Sequence, residues 1–477
     1  MPTDPRTQAK KAVQHCEEAF ERAYLEDLKG LVRIPSVSFP GFPASEVRRG
    51  AEATVALMRH YGLENCRVIE VEGAHPYAYG ERLRAPGAPT LLLYAHQDVQ
   101  PPGRDELWKT PPFEPTVKEG PGGPRLFGRG AADDKAGIVV HLAAIDSWLK
   151  TAGELPVNVK VVIEGEEETG SNHLPVFLST YRSMLDADVL VLTDTTNFDC
   201  GVPALTIALR GLVGLEVEVR ALTKSVHSGM WGGPVPDPAA ALTKMLATLV
   251  DGQGRIAVPG IRDQVRPLSS AEEAEMKKLP WDERAFREAS GMVPGSELLR
   301  EGPSPIGQLW RFPSLTINAI QASSRQQAGN IINDTAWAKI TVRIVPDMDP
   351  HRTLRLLEDH LRRHVPWGLE VSFVVEAANG PWAIEPKGWA FEAARAAMKE
   401  GYGKSPLMIG CGGSIPFVKP FADALGGAPA LLVGVEDPYT NAHGENESCL
   451  ISDLKKACLS QVLLFAELAE RFQNNRK

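Results

Sequence analysis

A chain of 477 residues holds more than one domain, and 43% hydrophobic with 23% charged residues is a globular rather than a disordered composition. A net charge of −9 argues against nucleic acid and anionic membrane surfaces as partners, and no apolar run is long enough to span a bilayer. The polar start Met1-Pro2-Thr3-Asp4-Pro5 lacks the apolar core of a signal peptide, and the six scattered cysteines, none in a Cys-x-x-Cys spacing, read as reduced thiols of a cytoplasmic protein.

In chain order, Ser45 is placed to cap a helix over 46–61 that Gly62 stops. Residues 90–95 form a short apolar run, the mark of a strand buried on both faces. A polar Pro/Gly-rich loop is predicted over 101–123, then a Gly-rich turn through Asp133-Asp134 into an apolar helix over 138–149. Strands follow at 157–163 and 189–193, and this βαβ alternation predicts a parallel sheet.

The pattern changes after Pro203. Residues 205–219 alternate as antiparallel strands do, 236–250 read as a helix, and 261–302 are charged, helix-prone and interrupted, like an insertion. A strongly alternating strand spans 337–345, and Asp349-Pro350 supplies an N-cap followed by proline at the first helical position. After a linker at 379–382 come a helix over 386–400, a strand over 429–435 and a final helix over 452–472. The fold class is therefore α/β: a mixed, largely parallel sheet flanked by helices, interrupted by an α+β domain. The expected bounds are 1–205 and 379–477 for the larger domain and 206–378 for the inserted one.

Side chains that bind metals follow these strands. His96-Gln97-Asp98 comes after the run at 90–95, and Asp98 is near enough to take the second ring proton of His96. Asp133-Asp134 precedes a helix, where one acid would serve as an ordinary cap but two are more than a cap needs. Glu166-Glu167-Glu168 follows 157–163 and Asp194 follows 189–193; either could be a solvated turn when taken alone. His443 follows the strand at 429–435. In an open α/β sheet, sites form beyond the carboxyl ends of parallel strands, where all five candidate ligands fall. His96, Asp133, Glu168, Asp194 and His443 suit a pair of zinc or manganese ions sharing one carboxylate. Glu167 would then be free to act as general base toward water.

The segments His96-Gln97-Asp98, Gly128 to Lys135, Gly165-Glu166-Glu167-Glu168-Thr169-Gly170-Ser171, Val226-His227-Ser228-Gly229, Val342-Arg343-Ile344-Val345-Pro346 and Gly412-Gly413-Ser414-Ile415-Pro416 occur in an order that resembles the co-catalytic metallopeptidases. That family includes carnosinase, cytosolic non-specific dipeptidase, aminoacylase and succinyl-diaminopimelate desuccinylase. The resemblance implies a zinc-exopeptidase-like catalytic domain and an inserted lid and dimerisation domain. It implies two divalent ions per subunit, zinc or alternatively manganese, with Asp133 bridging. His96 and Asp194 would complete one site, and Glu168 and His443 the other. Glu167 would be the general base and the Asp133–Asp134 peptide would be cis. His227 would act in the partner subunit's site of a homodimer. Arg343 would clamp the substrate's C-terminal carboxylate, with Gly413, Ser414 and Asn330 as further substrate contacts.

The segments 254–261 and 310–315 resemble the dipeptidase and carnosinase branch. That branch usually has Glu directly before Gly-Gly-Ser-Ile-Pro, where this chain has Cys411, and often a His where this chain has Asn379. The implied activity is hydrolysis of dipeptides or short peptides with a free C-terminal carboxylate. An N-acyl amino acid deacylase using the same site is the alternative, and a catalytically silent scaffold a third.

Overall fold

The computed structural model describes residues 5–302, 304–413 and 418–475. The chain divides into two compact units: Met1–Ile207, Ile384–Ile409 and Pro416–Lys477 form one, and Ala208–Ala383 with Gly410–Ile415 the other.

The first unit is built on a mixed sheet whose four central strands are parallel. Thr90–His96 lies between Asn158–Glu164 and Val189–Leu192, and Ala430–Leu432 continues from the latter in parallel. Tyr77–Arg82 and Glu64–Ile69 extend the sheet antiparallel on one side, and Thr206 of the Ala204–Leu209 strand pairs antiparallel with Leu432 on the other. The parallel strands are buried almost end to end because both faces are covered. Leu91, Leu93, Ala95, Val161 and Val191 face one core, shared with the helices Pro5–Ala19, Lys135–Ala152, Trp389–Tyr402 and Ile451–Asn475. On the other face Tyr77 stacks on Phe177 at 4.0 Å and Tyr94 meets Phe421 edge-on at 5.3 Å.

Register brings the strand ends together. His96 pairs with Glu164, Tyr94 with Leu192, and Leu432 with Leu192, so the loops that follow all leave the same end of the sheet. Gly137 seats the central helix against that end, where a Cβ would collide with Thr193 and Asp134.

Two local expectations are corrected. The helix Ala44–His60 starts before Ser45, with Pro43 at the cap position and the Glu46 N–H bonded to Pro43 O at 3.0 Å, so Ser45 caps nothing. The stretch over 101–123 is not wholly loop: Thr116–Gly120 pairs antiparallel with Gly123–Phe127, since Gly122 and Gly123, both with positive φ, allow a tight reversal.

The second unit is α+β. Its antiparallel sheet runs Ser314–Gln321, Thr335–Ile344, Gly211–Arg220, Glu370–Asn379. Burial alternates strictly along Thr335–Ile344. The buried side packs Val213, Leu215, Ile340 and Val342 against Leu242 and Met245 of Pro238–Ala247 and Leu357 and Leu361 of Pro350–Arg363. Asp349 caps the latter helix by accepting from the N–H groups of His351 and Arg352. The structure draws this unit's edges differently from the sequence. Pairing of Trp382–Ala383 with Leu209 and Ala208 keeps those residues in it. Gly410–Ile415 returns to it because Arg210 binds Gly412 O at 2.7 Å and Gly410 packs on Trp310.

Candidate metal centre

All five candidate ligands converge in the first unit, around Asp133. His96 Nε2 lies 3.0 Å from Asp133 Oδ1, and His443 Nε2 lies 3.0 Å from Asp133 Oδ2. Glu168 Oε2 is 3.2 Å from His443 Nε2, and Asp194 Oδ1 is 3.8 Å from His96 Nε2. Glu167 Oε2 stands 3.9 Å from His96 Nε2. The Asp133–Asp134 peptide is cis. Among the described residues, three groups of donor atoms each lie within 4.8 Å of one another: His96 with Asp134 and Asp194; Asp133 with Glu168 and His443; Asp133 with Asp194 and Glu436. Glu436 was not singled out in the sequence; its place after the fourth parallel strand was the available signal.

Buried acids around the centre hold backbone rather than cations. Asp98 accepts from Glu167 N and Glu168 N, both at 3.1 Å, and from Ser38 Oγ at 2.7 Å. It thus pins the turn bearing the candidate base and its neighbour. The His96 ring proton has two acceptors on Asp98, the backbone oxygen at 3.1 Å and Oδ1 at 3.5 Å. Glu166, the first of the acidic run, turns away to His173 and the His75 N–H. Glu447, also not foreseen, accepts from Arg129 at 2.7 Å and from the N–H groups of Gly130, Ala132 and Asp133. The loop carrying Asp133 is therefore wrapped around one buried carboxylate. His443 sits at φ +63° in an exposed loop that Asn441 and Asn446 brace through side-chain amide bonds.

The electrostatics report crowding. Burial raises Glu168 to about 7, with Asp133 adding to the shift and His443 opposing it. Burial raises Glu167, Asp194 and Glu436 as well. Burial alone would lower His443, but the carboxylates of Asp133 and Glu168 outweigh it and push the ring up to about 11. Protonated imidazoles are one answer to so many acids; divalent cations are the other. The fully buried His96 Nε2 favours cations, because it makes no hydrogen bond although Asp133 Oδ1 is 3.0 Å away. Two imidazoles with carboxylates and no amide is a donor set for zinc or manganese. The residues fit a pair of such ions.

Glu164 offers a separate test. Its carboxyl, buried under Tyr94 and Tyr77, is pushed by burial from 4.5 up to about 8, partly offset by the Tyr94 hydroxyl bond. A raised folded-state value contributes stability that is full below the unfolded value and is lost as pH climbs through the folded one. Glu164→Gln should therefore gain in stability relative to the unaltered protein between pH 5 and pH 8, by at most about 1.4 kcal/mol per pH unit. Thermal melts at matched metal loading read this difference, and a pH-independent offset would contradict it.

The remaining candidates lie in the second unit. His227 is exposed; its Nδ1 accepts from Gly229 N at 3.0 Å. Asn330 is its neighbour across a short ribbon: His227 pairs with Ile331, and Asn330 O accepts from Ser228 N. Arg343 lies on the Thr335–Ile344 strand, half-buried, where burial lowers its pKa. Close by is Arg210, not foreseen, which burial and the like charge of Arg343 bring down to about 10. Gly413 O accepts from Arg210 N at 3.2 Å. Ser414 lies outside the described residues. Two guanidiniums this near one another, beside the Gly412–Gly413 backbone, make a setting for an anion.

Comparison with known proteins gives the family. The model of peptidase family M20/M25/M40 matches residues 92–466. This chain belongs to that family. It is 30% identical over 414 residues to the cysteinylglycine-S-conjugate dipeptidase of Corynebacterium striatum, covering 86% of this chain and 88% of the relative. It is 31% identical over 373 residues to the Beta-Ala-His dipeptidase of Homo sapiens, covering 75% and 70%. The solved structure of the di-peptidase Dug1p from Saccharomyces cerevisiae superposes with a TM-score of 0.85 at 26% identity, over 97% of this chain and 98% of that one. Human carnosine dipeptidase 1 gives a TM-score of 0.84 at 27% identity, over 97% and 99%. The protein is an M20 metallopeptidase of the dipeptidase branch, a metal-dependent hydrolase.

Proposed function

We propose that this M20 enzyme hydrolyses dipeptides and short peptides with a free C-terminal carboxylate, and that the residues converging on Asp133 are its two-metal centre. The carrying observation is the pair of 3.0 Å approaches of His96 and His443 to the two oxygens of Asp133. In this reading Asp133 would be shared, His96 and Asp194 would complete one site, and Glu168 and His443 would complete the other. A bound pair of divalent ions would acidify water and stabilise negative charge developing on the substrate carbonyl oxygen. Glu167 then takes the proton from the attacking water as its oxygen bonds to the carbonyl carbon. It returns that proton to the leaving nitrogen as the C–N bond breaks. Arg343, with Arg210 and the Gly413 backbone, receives the C-terminal carboxylate in a bidentate fork.

Release of leucine from Ala-Leu by zinc- or manganese-loaded protein should exceed release from N-acetyl-leucine. The reverse order would favour the deacylase reading. That reading draws on Cys411, whose sulfur accepts from Gly413 N at 3.3 Å and brings no carboxylate to its position.

We further infer a homodimer formed through the inserted unit, with His227 completing the partner subunit's site. Mixing His227→Ala with Glu167→Ala chains should then restore part of the activity that each lacks alone. Heterodimers that remain inactive would refute sharing. Six free thiols fit a reducing, cytoplasmic setting, and no helix among the described residues is long and apolar enough to cross a membrane.

A further inference from the structure

We infer that Glu436 receives the free α-ammonium of the substrate, making the centre selective for peptides with unmodified amino termini over N-acyl amino acids. The inference rests on the dipeptidase reading above and assigns a specificity residue within it.

Backbone contacts fix Glu436 in place. Just before it, Gly434 packs so closely on Thr195 that a Cβ would collide with that residue's backbone. Glu436 O accepts from Asn197 N at 2.8 Å, and Thr196 bridges to Glu436 in parallel. The fourth parallel strand thus delivers a carboxylate whose oxygen lies within 4.8 Å of oxygens of Asp133 and Asp194.

Other acids of the centre have protein partners. Asp98 holds two backbone N–H groups and Ser38, Asp134 takes the His96 N–H, and Glu447 takes Arg129. The half-buried Glu436 side chain makes no hydrogen bond or ion pair with any described residue. The fully buried His96 Nε2, which makes no hydrogen bond although Asp133 Oδ1 is 3.0 Å away, marks the same spot as a cation-binding centre. Charge then decides what Glu436 is for. Asp133, Asp194 and Glu168 as ligands, with Glu167 ionised as base, already balance two divalent ions. Glu436 is a further carboxyl group beyond this set, its oxygen within 4.8 Å of those of Asp133 and Asp194 at the edge of the centre.

In a peptide the α-nitrogen is about 2.5 Å from the carbonyl carbon of the same residue, so a carboxylate at the edge of the metal centre is within reach of it. An ammonium there satisfies Glu436 with a charge-assisted bond. An acyl chain sets a methyl or methylene against it and leaves the carboxylate desolvated and unpaired.

N-propionyl-leucine is Ala-Leu with the ammonium replaced by hydrogen, so the pair isolates this contact. The ratio of kcat/KM for Ala-Leu over N-propionyl-leucine should fall about 10- to 100-fold in Glu436→Gln, on the scale of a charge-assisted bond, with two metals still bound per chain by elemental analysis. An unchanged ratio would overturn the assignment. So would loss of a metal, which would make Glu436 a ligand. Calorimetric binding of L-alaninamide to the metal-loaded protein separates this from failure of the dipeptidase reading. If the unaltered enzyme hydrolyses neither substrate yet binds alaninamide in a Glu436-dependent way, the dipeptidase reading falls and Glu436 stands. Binding that does not depend on Glu436 rejects the assignment whatever the turnover.

Discussion

Asp133→Asn is expected to cost the enzyme its metal pair and, with it, turnover. Asp133 presents one oxygen to His96 and the other to His443, each at 3.0 Å. Asparagine keeps one oxygen and puts an NH2 group, which cannot ligate a cation, in place of the other. Metal content should fall from two ions per chain to one or fewer, and kcat by roughly three orders of magnitude or more, given that such ions supply several kcal/mol of transition-state stabilisation. Elemental analysis beside steady-state kinetics reads both effects. The rest of the loop should hold, because Glu447 grips it through the Gly130, Ala132 and Asp133 N–H groups and not through the Asp133 side chain. An Asp133→Asn protein that kept two ions would show that Asp133 is not shared.

Glu167→Gln should separate chemistry from binding. The turn carrying Glu167 is fixed by Asp98, which takes the backbone N–H groups of Glu167 and Glu168 whatever side chain stands at 167. Glu168 is held in addition by Gln100 at 2.7 Å. Both metals should therefore remain and KM should change little. Loss of the proton acceptor should lower kcat by about 10²- to 10⁴-fold. Turnover retained within a few-fold would remove Glu167 from the proton path. The two variants form a pair: one is expected to empty the centre, the other to leave it full and idle.

The acidic run shows how far local pattern reaches. Three glutamates in a row after a buried strand mark a crowded strand end, but three successive side chains leave the backbone in different directions. Glu166 turns to His173, Glu167 toward His96, and Glu168 to His443. Asp98 is similar: its closeness to His96 in sequence hinted at a ring-proton acceptor. The structure adds that its carboxylate chiefly holds a turn about seventy residues further along the chain. The Ser45 cap failed because proline and the chain direction before it started the helix earlier.

The amino-acid sequence determined the α/β pattern, the inserted α+β block and the order of His96, Asp133, Glu167, Glu168, Asp194 and His443. These are properties of short segments: an apolar run fixes a buried strand, and the residues just past it must emerge at that strand's end. Tertiary structure alone decided which distant acid goes where. Glu447 reaches the Asp133 loop across more than three hundred residues, and Glu436 joins Asp133 and Asp194 only because Ala430–Leu432 adds to the sheet beside Val189–Leu192. Arg210 meets Arg343 only once the strands around them are packed. A carboxylate in a chain carries no mark of its future partner. Parallel pairing, which sets side by side strands that are far apart in sequence, supplies it.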